Sequence, residues 1–311
     1  MKLWVSMGLK PSGDPAEPLR PCLRVVDTDV GRVVDELRHT CDPAHVAGPG
    51  AHQEFTAGAF LPDGRLIQPA HTELLWIDPH RMRIERVVSH PLFHGMHSAT
   101  ASPEGLVVTC AGTESVLELD PRGELSAHHW LRPGRFGYPG ITDFRTVDHD
   151  ALKPHSHHPN HAARVGGDLW VTCFETADCR SLGADRRIDL SEAIPHDGRL
   201  RGGLLWFTQV VGVVIGVDPA TLAREVVIDL RALDRRGSLG WCRGVEVVGS
   251  RLFVGMTMLR ATRHREALRQ IVYGQKRPTR VVEVDLDRAV IVGEIEVGNA
   301  AGGTIYSVNA C

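Results

Sequence analysis

Three histidines, His97, His161 and His196, recur at one place relative to a repeated apolar tetrapeptide. That tetrapeptide reads Leu106-Val107-Val108-Thr109, Leu169-Trp170-Val171-Thr172, Leu205-Trp206-Phe207-Thr208 and Leu252-Phe253-Val254-Gly255. His97, His196 and Arg243 stand nine residues before the first Leu of their repeats, and His161 stands eight before. The shorter offset reads as a turn one residue shorter, Gly166-Gly167-Asp168 against Pro103-Glu104-Gly105. Three neutral imidazoles with an open position describe a divalent transition-metal site, for Fe, Zn, Mn or Cu, with Co and Ni as further fits. Arg243 adds a permanent charge and a planar fork suited to a carboxylate, phosphate or sulfate. The same side chains also fit a plainer arrangement, a polar channel lining bridged by water.

A second tier lies one turn upstream: Glu54, His94 and His158, the two histidines forming His94-x-x-His97 and His158-x-x-His161. This tier would supply a fourth ligand (Glu54 first), an acid–base pair or a substrate contact, or else only a polar rim. Asp197 follows His196 and would orient a neighbouring ring. His155 and His157 read as lid residues. The remaining histidines, His39, His80 and His264 among them, read as surface. A basic stretch with Arg260, Arg263, Arg265, Arg269, Lys276 and Arg277 would favour an anionic ligand or simply face solvent. Tyr306 would donate a proton or merely pack.

What must position these residues is a repeated unit. Most of the apolar strands are followed by a second strand ending in Asp, as in Trp76-Ile77-Asp78-Pro79, Glu118-Leu119-Asp120-Pro121, Gly216-Val217-Asp218-Pro219 and Glu283-Val284-Asp285. A turn and another β-rich run come next, so each unit holds four short strands. Repeats of ~40 residues with four strands each describe an all-β chain folded as a β-propeller. The units centre on 52–90, 94–132, 158–190, 195–230 and 240–297. A sixth is split: Leu3-Trp4-Val5-Ser6 lacks an inner strand, and Ile305-Tyr306-Ser307-Val308 supplies it, so that 305–311 completes 1–38 and closes a six-bladed ring. The chain is then a single domain. Its long connections, 131–157 and 256–279 chief among them, emerge on the histidine face. The one helical pattern runs from Leu259 to Gln275.

Composition narrows the function classes. The 311 residues carry 42% hydrophobic and 23% charged residues with a net charge of −3, which argues against nucleic-acid or membrane-surface binding driven by bulk charge. No apolar run approaches the ~20 residues that span a bilayer, and no signal-peptide pattern opens the chain, so a cytoplasmic location is expected. The seven cysteines include no C-x-x-C pair and read as reduced apolar fillers. There is no phosphate-binding Gly loop, no G-x-S-x-G and no H-E-x-x-H.

The phrases Gly95-Met96-His97-Ser98-Ala99, Pro159-Asn160-His161 with Leu169-Trp170-Val171-Thr172, and Cys242-Arg243-Gly244-Val245 with Leu252-Phe253-Val254-Gly255 resemble uncharacterised bacterial six-bladed propellers. The resemblance spans most of 52–300 and implies the architecture. A looser similarity is to gluconolactonase and strictosidine-synthase-like propellers, which hold a metal or substrate on the channel axis. Gluconolactonase-type sites use Glu, Asn and Asp where this chain has His. Carotenoid oxygenases and oligogalacturonate lyases offer a fold-level analogy for His-ligated metals on propellers.

The leading expectation is a metalloenzyme in which His97, His161 and His196 hold the ion on the propeller axis. Arg243 would anchor a small anionic metabolite, and Glu54, His94, His158 or Tyr306 would handle protons, with oxygenase, lyase or hydrolase chemistry open. Two alternatives stand beside it. One is a non-catalytic propeller that binds a protein or peptide through its loop-rich face. The other is a metal-free isomerase or cyclase using the same histidines as acid and base.

Overall fold

The computed structural model describes residues 1–14, 16–48, 51, 53–132, 140–259, 269–300 and 302–311. It holds six four-stranded antiparallel sheets. Blade 1 contains β1 (Lys2–Leu9), β2 (Arg20–Asp27) and β3 (Arg32–Arg38). Blade 2 contains β4 (Ala59–Phe60), β5 (Leu66–Pro69), β6 (Leu74–Asp78) and β7 (Arg83–Val88). Blade 3 contains β8 (Met96–Ser102), β9 (Gly105–Cys110), β10 (Ser115–Leu119) and β11 (Leu125–Trp130). Blade 4 contains β12 (Pro159–Val165), β13 (Asp168–Cys173), β14 (Asp178–Ser181) and β15 (Arg187–Asp189). Blade 5 contains β16 (Pro195–Arg201), β17 (Leu204–Gln209), β18 (Val213–Val217) and β19 (Arg224–Asp229). Blade 6 contains β20 (Trp241–Val248), β21 (Arg251–Thr257), β22 (Arg280–Asp285) and β23 (Val290–Glu296). The last strand, β24 (Thr304–Ala310), returns to blade 1, whose order is β24-β1-β2-β3. The chain is a six-bladed β-propeller closed by its C-terminal strand.

Burial explains the strand pattern. The middle strands are packed on both faces by neighbouring blades, so they are apolar without alternation, as in β18, all five of whose residues are buried. The outer strands face water on one side and carry the charge, as Arg83, Glu85 and Arg86 do on β7. Trp4, Trp170 and Trp206 are buried between blades, as their recurrence predicts. All seven cysteines are free thiols, six of them buried. Among the described residues, helix occurs only in short pieces, Pro43–His45, His149–Leu152, Leu230–Leu233 and 269–271. The helical pattern expected at Leu259–Gln275 falls largely on 260–268, outside the described residues, with helix at 269–271. No helix among the described residues is long and apolar enough to cross a membrane.

The inner strands carry the functional geometry, and five of the six, β4 excepted, carry an irregularity near the same level. In β8 the pairing jumps from Met96↔Cys110 to Ser98↔Thr109, leaving His97 as an extra, bulged residue. Asn160 is extra in β12 and Gly198 in β16. Arg243 and Gly244 face the single residue Gly255 in β20–β21, and Tyr306 is extra in β24. A β-bulge bends its strand and re-aims a side chain, a device common beside active sites. Gly255 stands where blades 3, 4 and 5 have Thr because a Cβ there would clash with the Arg243 carbonyl oxygen.

These bulges correct one sequence expectation. The hairpins after β8, β12 and β16 all turn through two residues, since Ser102 pairs with Gly105, Val165 with Asp168 and Arg201 with Leu204. The offset of eight at His161 therefore comes from bulge placement, not from a shorter turn. His161 and His196 sit opposite equivalent threonines, Thr172 and Thr208, whereas Ser98 holds that register in blade 3 and His97 is its bulged neighbour.

Candidate active site in the propeller bore

A small pocket, half open and with only about 10 Å³ of free volume, lies on the bore, lined by Ala57, His97, Asn160, His161, His196, Asp197, Arg243 and Tyr306. Every blade contributes to this wall. Tyr306 comes from blade 1, Ala57 leads into blade 2, and His97 comes from blade 3. Asn160 and His161 come from blade 4, His196 and Asp197 from blade 5, and Arg243 from blade 6. The three histidines, the arginine and the tyrosine singled out in the sequence thus meet in one place. Asn160 was missed: it stands nine residues before Leu169, the offset of His97, but its residue type drew no notice.

Arg243 does not stand apart from the histidines. Its guanidinium Nη2 lies 3.0 Å from His196 Nε2 and its Cζ lies 4.6 Å over the Tyr306 ring. A guanidinium can only donate, so His196 Nε2 accepts and its proton resides on Nδ1. Tyr306 in turn donates to Glu54 Oε1 at 3.2 Å, which puts Glu54 one hydrogen bond behind the wall.

On the other side of the bore a chain of three imidazoles ends at His97. His155 Nδ1 meets His158 Nδ1 at 2.8 Å, and His158 Nε2 meets His97 Nε2 at 2.9 Å. Neutral rings linked this way hold their protons in one direction and can reverse it together, so a proton accepted at one end appears at the other. Phe174 packs between His158 and His196, with ring centroids 5.3 and 5.4 Å away. Glu114 fixes the loop that carries the chain. Its Oε1 accepts the backbone N–H groups of Ser156 and His157 at 2.5 Å each, and its Oε2 accepts the Ser156 hydroxyl at 2.9 Å. Both Glu114 (φ 50°) and His158 (φ 53°) occupy the left-handed region, where a side-chain-bearing residue is strained and must be held by its surroundings. Glu114 was also missed in the sequence, because its partners lie about forty residues away.

His161 is the most deeply enclosed ring. Burial, reinforced by the charges of Arg199 and Arg201, pulls its pKa down to about 3, so it is neutral. Its Nδ1 is buried without a hydrogen-bond partner, as are Asn160 Oδ1 and Thr172 Oγ1. Asp197 is not positioned as a ring-orienting partner. Its Oδ2 accepts from the Thr208 hydroxyl at 2.6 Å and from Gly244 N at 3.0 Å, stitching blade 5 to blade 6, and burial raises its pKa. Farther along the bore, Arg199 forms a buried plug. Its Nη1 donates to Glu246 Oε2 at 2.8 Å and Asn309 Oδ1 at 2.7 Å, and its Nη2 donates to Gly58 O at 3.2 Å.

Several expected contributors lie elsewhere. His94 is fully buried behind the bore, donating Nε2–H to Val147 O at 3.1 Å and packing edge-on against His71. Gly112 leaves room for that ring, since a Cβ there would meet His94 Nδ1 at 1.8 Å. Arg277 is ion-paired with Asp234 and Glu294, so it is not poised for a ligand in the bore. Arg260, Arg263, Arg265 and His264 lie outside the described residues, as does 133–139 of the long blade 3–4 connection. His39, read as surface, is half-buried on Glu73.

The ligand atoms of His97, His161 and His196 do not form a compact set. Among the described residues, the His, Cys, Asp and Glu ligand atoms lying within 4.8 Å of one another as a group of three or more belong to His39, Cys41 and Glu73.

No family model matches the chain, and no curated protein matches it. Solved structures do. A Bacteroides caccae protein of unknown function aligns with a TM-score of 0.65 at 15% identity, covering 99% of this chain and 97% of that one. A chain of a nidogen–laminin complex aligns with a TM-score of 0.59 at 9% identity, covering 99% and 98%. The β-propeller domain of Myceliophteria thermophila Cps50 (Swd1) aligns with a TM-score of 0.50 at 12% identity, covering 94% and 86%. At such identities the likeness establishes the fold alone. The finer similarity to gluconolactonase and strictosidine-synthase-like propellers is not shown by these alignments.

Proposed function

We propose that the bore is an active site which binds a small anionic metabolite and moves a proton on it, in isomerase- or cyclase-type chemistry. The observation that carries this reading is the pairing of Arg243 with His196 inside the cavity that His97 and Tyr306 also line. An incoming carboxylate or phosphate would take the Arg243 fork, with Tyr306 and Asn160 as neutral partners. His97 is the acid–base group, and His158 and His155 carry its proton to and from the loop face. His196, its Nε2 covered by the guanidinium, stays neutral and orients Arg243.

The test begins with binding. Addition of phosphate, oxalate or a 2-oxo acid to 15N-histidine-labelled protein is expected to shift the imidazole signals of His97 and His196. It continues with catalysis, as exchange of acidic C–H protons of bound 2-oxo acids in D2O. Exchange that survives a chelator and is lost in His97→Gln supports the reading. Bore histidines blind to every anion, or exchange intact in His97→Gln, would overturn it.

A second reading keeps a divalent transition metal on His97, His161 and His196. It is favoured by the neutral state of His161 and by the unpartnered buried Nδ1 of that ring and Oδ1 of Asn160. It requires Arg243 to leave His196 Nε2 and His158 to leave His97 Nε2. Elemental analysis of untagged protein beside its His161→Gln variant decides: if the substitution removes less than ~0.2 equivalents of any transition metal, the metal reading fails.

A further inference from the structure

A second meeting of ligand-forming side chains lies in the connection between blades 1 and 2. His39 and Cys41 follow β3, and Glu73 sits in the β5–β6 turn. One ligand atom from each lies within 4.8 Å of the others. Cys41 is 2% exposed and Glu73 1%. Glu73 Oε2 meets His39 Nε2 at 2.7 Å, while its Oε1 meets His45 Nδ1 at 2.8 Å and accepts the Asp42 N–H at 2.9 Å. A buried carboxylate is costly unless compensated, and here it gathers three donors from one short segment.

We propose that His39, Cys41 and Glu73 form a binding site for a divalent ion of the zinc class, with His45 on the second carboxylate oxygen. The donor set is one imidazole nitrogen, one sulfur and one oxygen. Hard ions such as Mg²⁺ and Ca²⁺ demand oxygen ligands, whereas nitrogen with thiolate selects a borderline or soft ion. Tetrahedral Zn²⁺ with bonds of 2.0–2.3 Å would set these atoms roughly 3.3–3.6 Å apart, within the 4.8 Å that bounds the set, so the 2.7 Å contact of His39 Nε2 with Glu73 Oε2 would open as the ion entered. Three protein ligands leave a fourth position for water or for His45.

The electrostatics favour a cation. Burial works to raise the Glu73 pKa, but hydrogen bonds from His39, His45 and the Asp42 backbone outweigh it and hold the carboxylate at about 2. Burial and that neighbouring carboxylate push the Cys41 thiol far above its ordinary range. Geometry alone sets a buried carboxylate beside a buried thiol that a metal would convert to thiolate, releasing a proton.

The site is a cross-link by position. It would tie the blade 1–2 connection to a turn of blade 2. The same segment touches the bore wall from behind: Cys41 N donates to Gln53 Oε1 at 3.3 Å, and the His39 ring stacks on Phe55 with centroids 6.0 Å apart. Glu54, between those two residues, receives the Tyr306 hydroxyl. This proposal is independent of the reading of the bore.

The test is titration of chelator-stripped, reduced protein with Zn²⁺ against a chromophoric competitor, and in parallel with Co²⁺. Wild type is expected to bind one Zn²⁺ at this site and to give a thiolate-to-cobalt charge-transfer band. Cys41→Ser should lose the band and weaken Zn²⁺ binding at least tenfold, and Zn²⁺ should raise the urea midpoint of wild type but not of this variant. His161→Gln in the bore should leave the band in place, which separates the two sites. A wild type without the band, or a Cys41→Ser variant that keeps it, overturns the assignment.

Discussion

The neutral state of His161 has a consequence for stability that follows from its burial and its cationic neighbours. An exposed histidine in the unfolded chain titrates near 6.5, whereas in the fold this ring titrates at about 3, because burial and the charges of Arg199 and Arg201 oppose protonation. The folded pKa is depressed, so the contribution to stability is complete above pH ~6.5 and falls as pH drops toward 3. At pH 5 the unfolded chain has taken up a proton that the native chain refuses, and the loss relative to pH 7 is about 2 kcal/mol. Other groups titrate too, so the assay is differential. Urea unfolding of wild type and His161→Gln is measured between pH 7 and pH 5 in the presence of a chelator. The substitution shifts stability by a constant through packing, but it also removes the titrating ring. The difference in unfolding free energy between the two proteins should therefore change by about 2 kcal/mol across this interval, with wild type losing more. A difference that stays flat within ~0.5 kcal/mol would refute the claim that the ring is buried and neutral.

Four further outcomes are expected. Arg243→Lys keeps the charge but loses the fork, so calorimetric affinity for oxalate or phosphate should fall about tenfold with the urea midpoint unchanged. Arg199→Met leaves Glu246 in the core with Arg201 and the backbone N–H groups of Val247 and Ala310 as its partners, so it should cost about 3 kcal/mol in urea unfolding; an unaltered midpoint would contradict the plug. Glu114→Gln weakens the hold on three backbone N–H groups, and amide exchange at 156–158 should quicken about tenfold, read by mass spectrometry. Truncation before Thr304 removes the partner of β1 and should abolish cooperative unfolding, checked by circular dichroism in urea.

Much of this was legible in the sequence because the middle strands are squeezed between blades and must be apolar on both faces. That requirement produces the Leu-Trp-Val-Thr type of tetrapeptide, and counting from it locates the inner strand. The convergence of His97, His161, His196, Arg243 and Tyr306 follows from that count. The bulges were not legible, since an extra residue in a strand leaves no mark on composition beyond occasional glycines such as Gly198 and Gly244. They misled the alignment by one residue and hid Asn160 as the counterpart of His97. The three-residue spacing shared by His94 and His158 suggested equivalence, yet His158 turns to His97 while His94 turns to the Val147 carbonyl. The His39–Glu73 pairing joins residues 34 apart across a blade boundary, which no local pattern reports.

Closing the ring with β24 also sets a clock for synthesis. The register Leu3↔Ala310 joins residues made about 300 positions apart. At roughly 5–20 residues per second, β1 emerges from the ribosome some 15–60 s before its partner exists. Through that interval the first blade presents an apolar strand edge to solvent or to any chaperone that meets it. Five blades can stack behind it, but the cylinder stays open, with Arg199 lacking Asn309 and Arg243 lacking Tyr306. Assembly of the bore thus waits for β24.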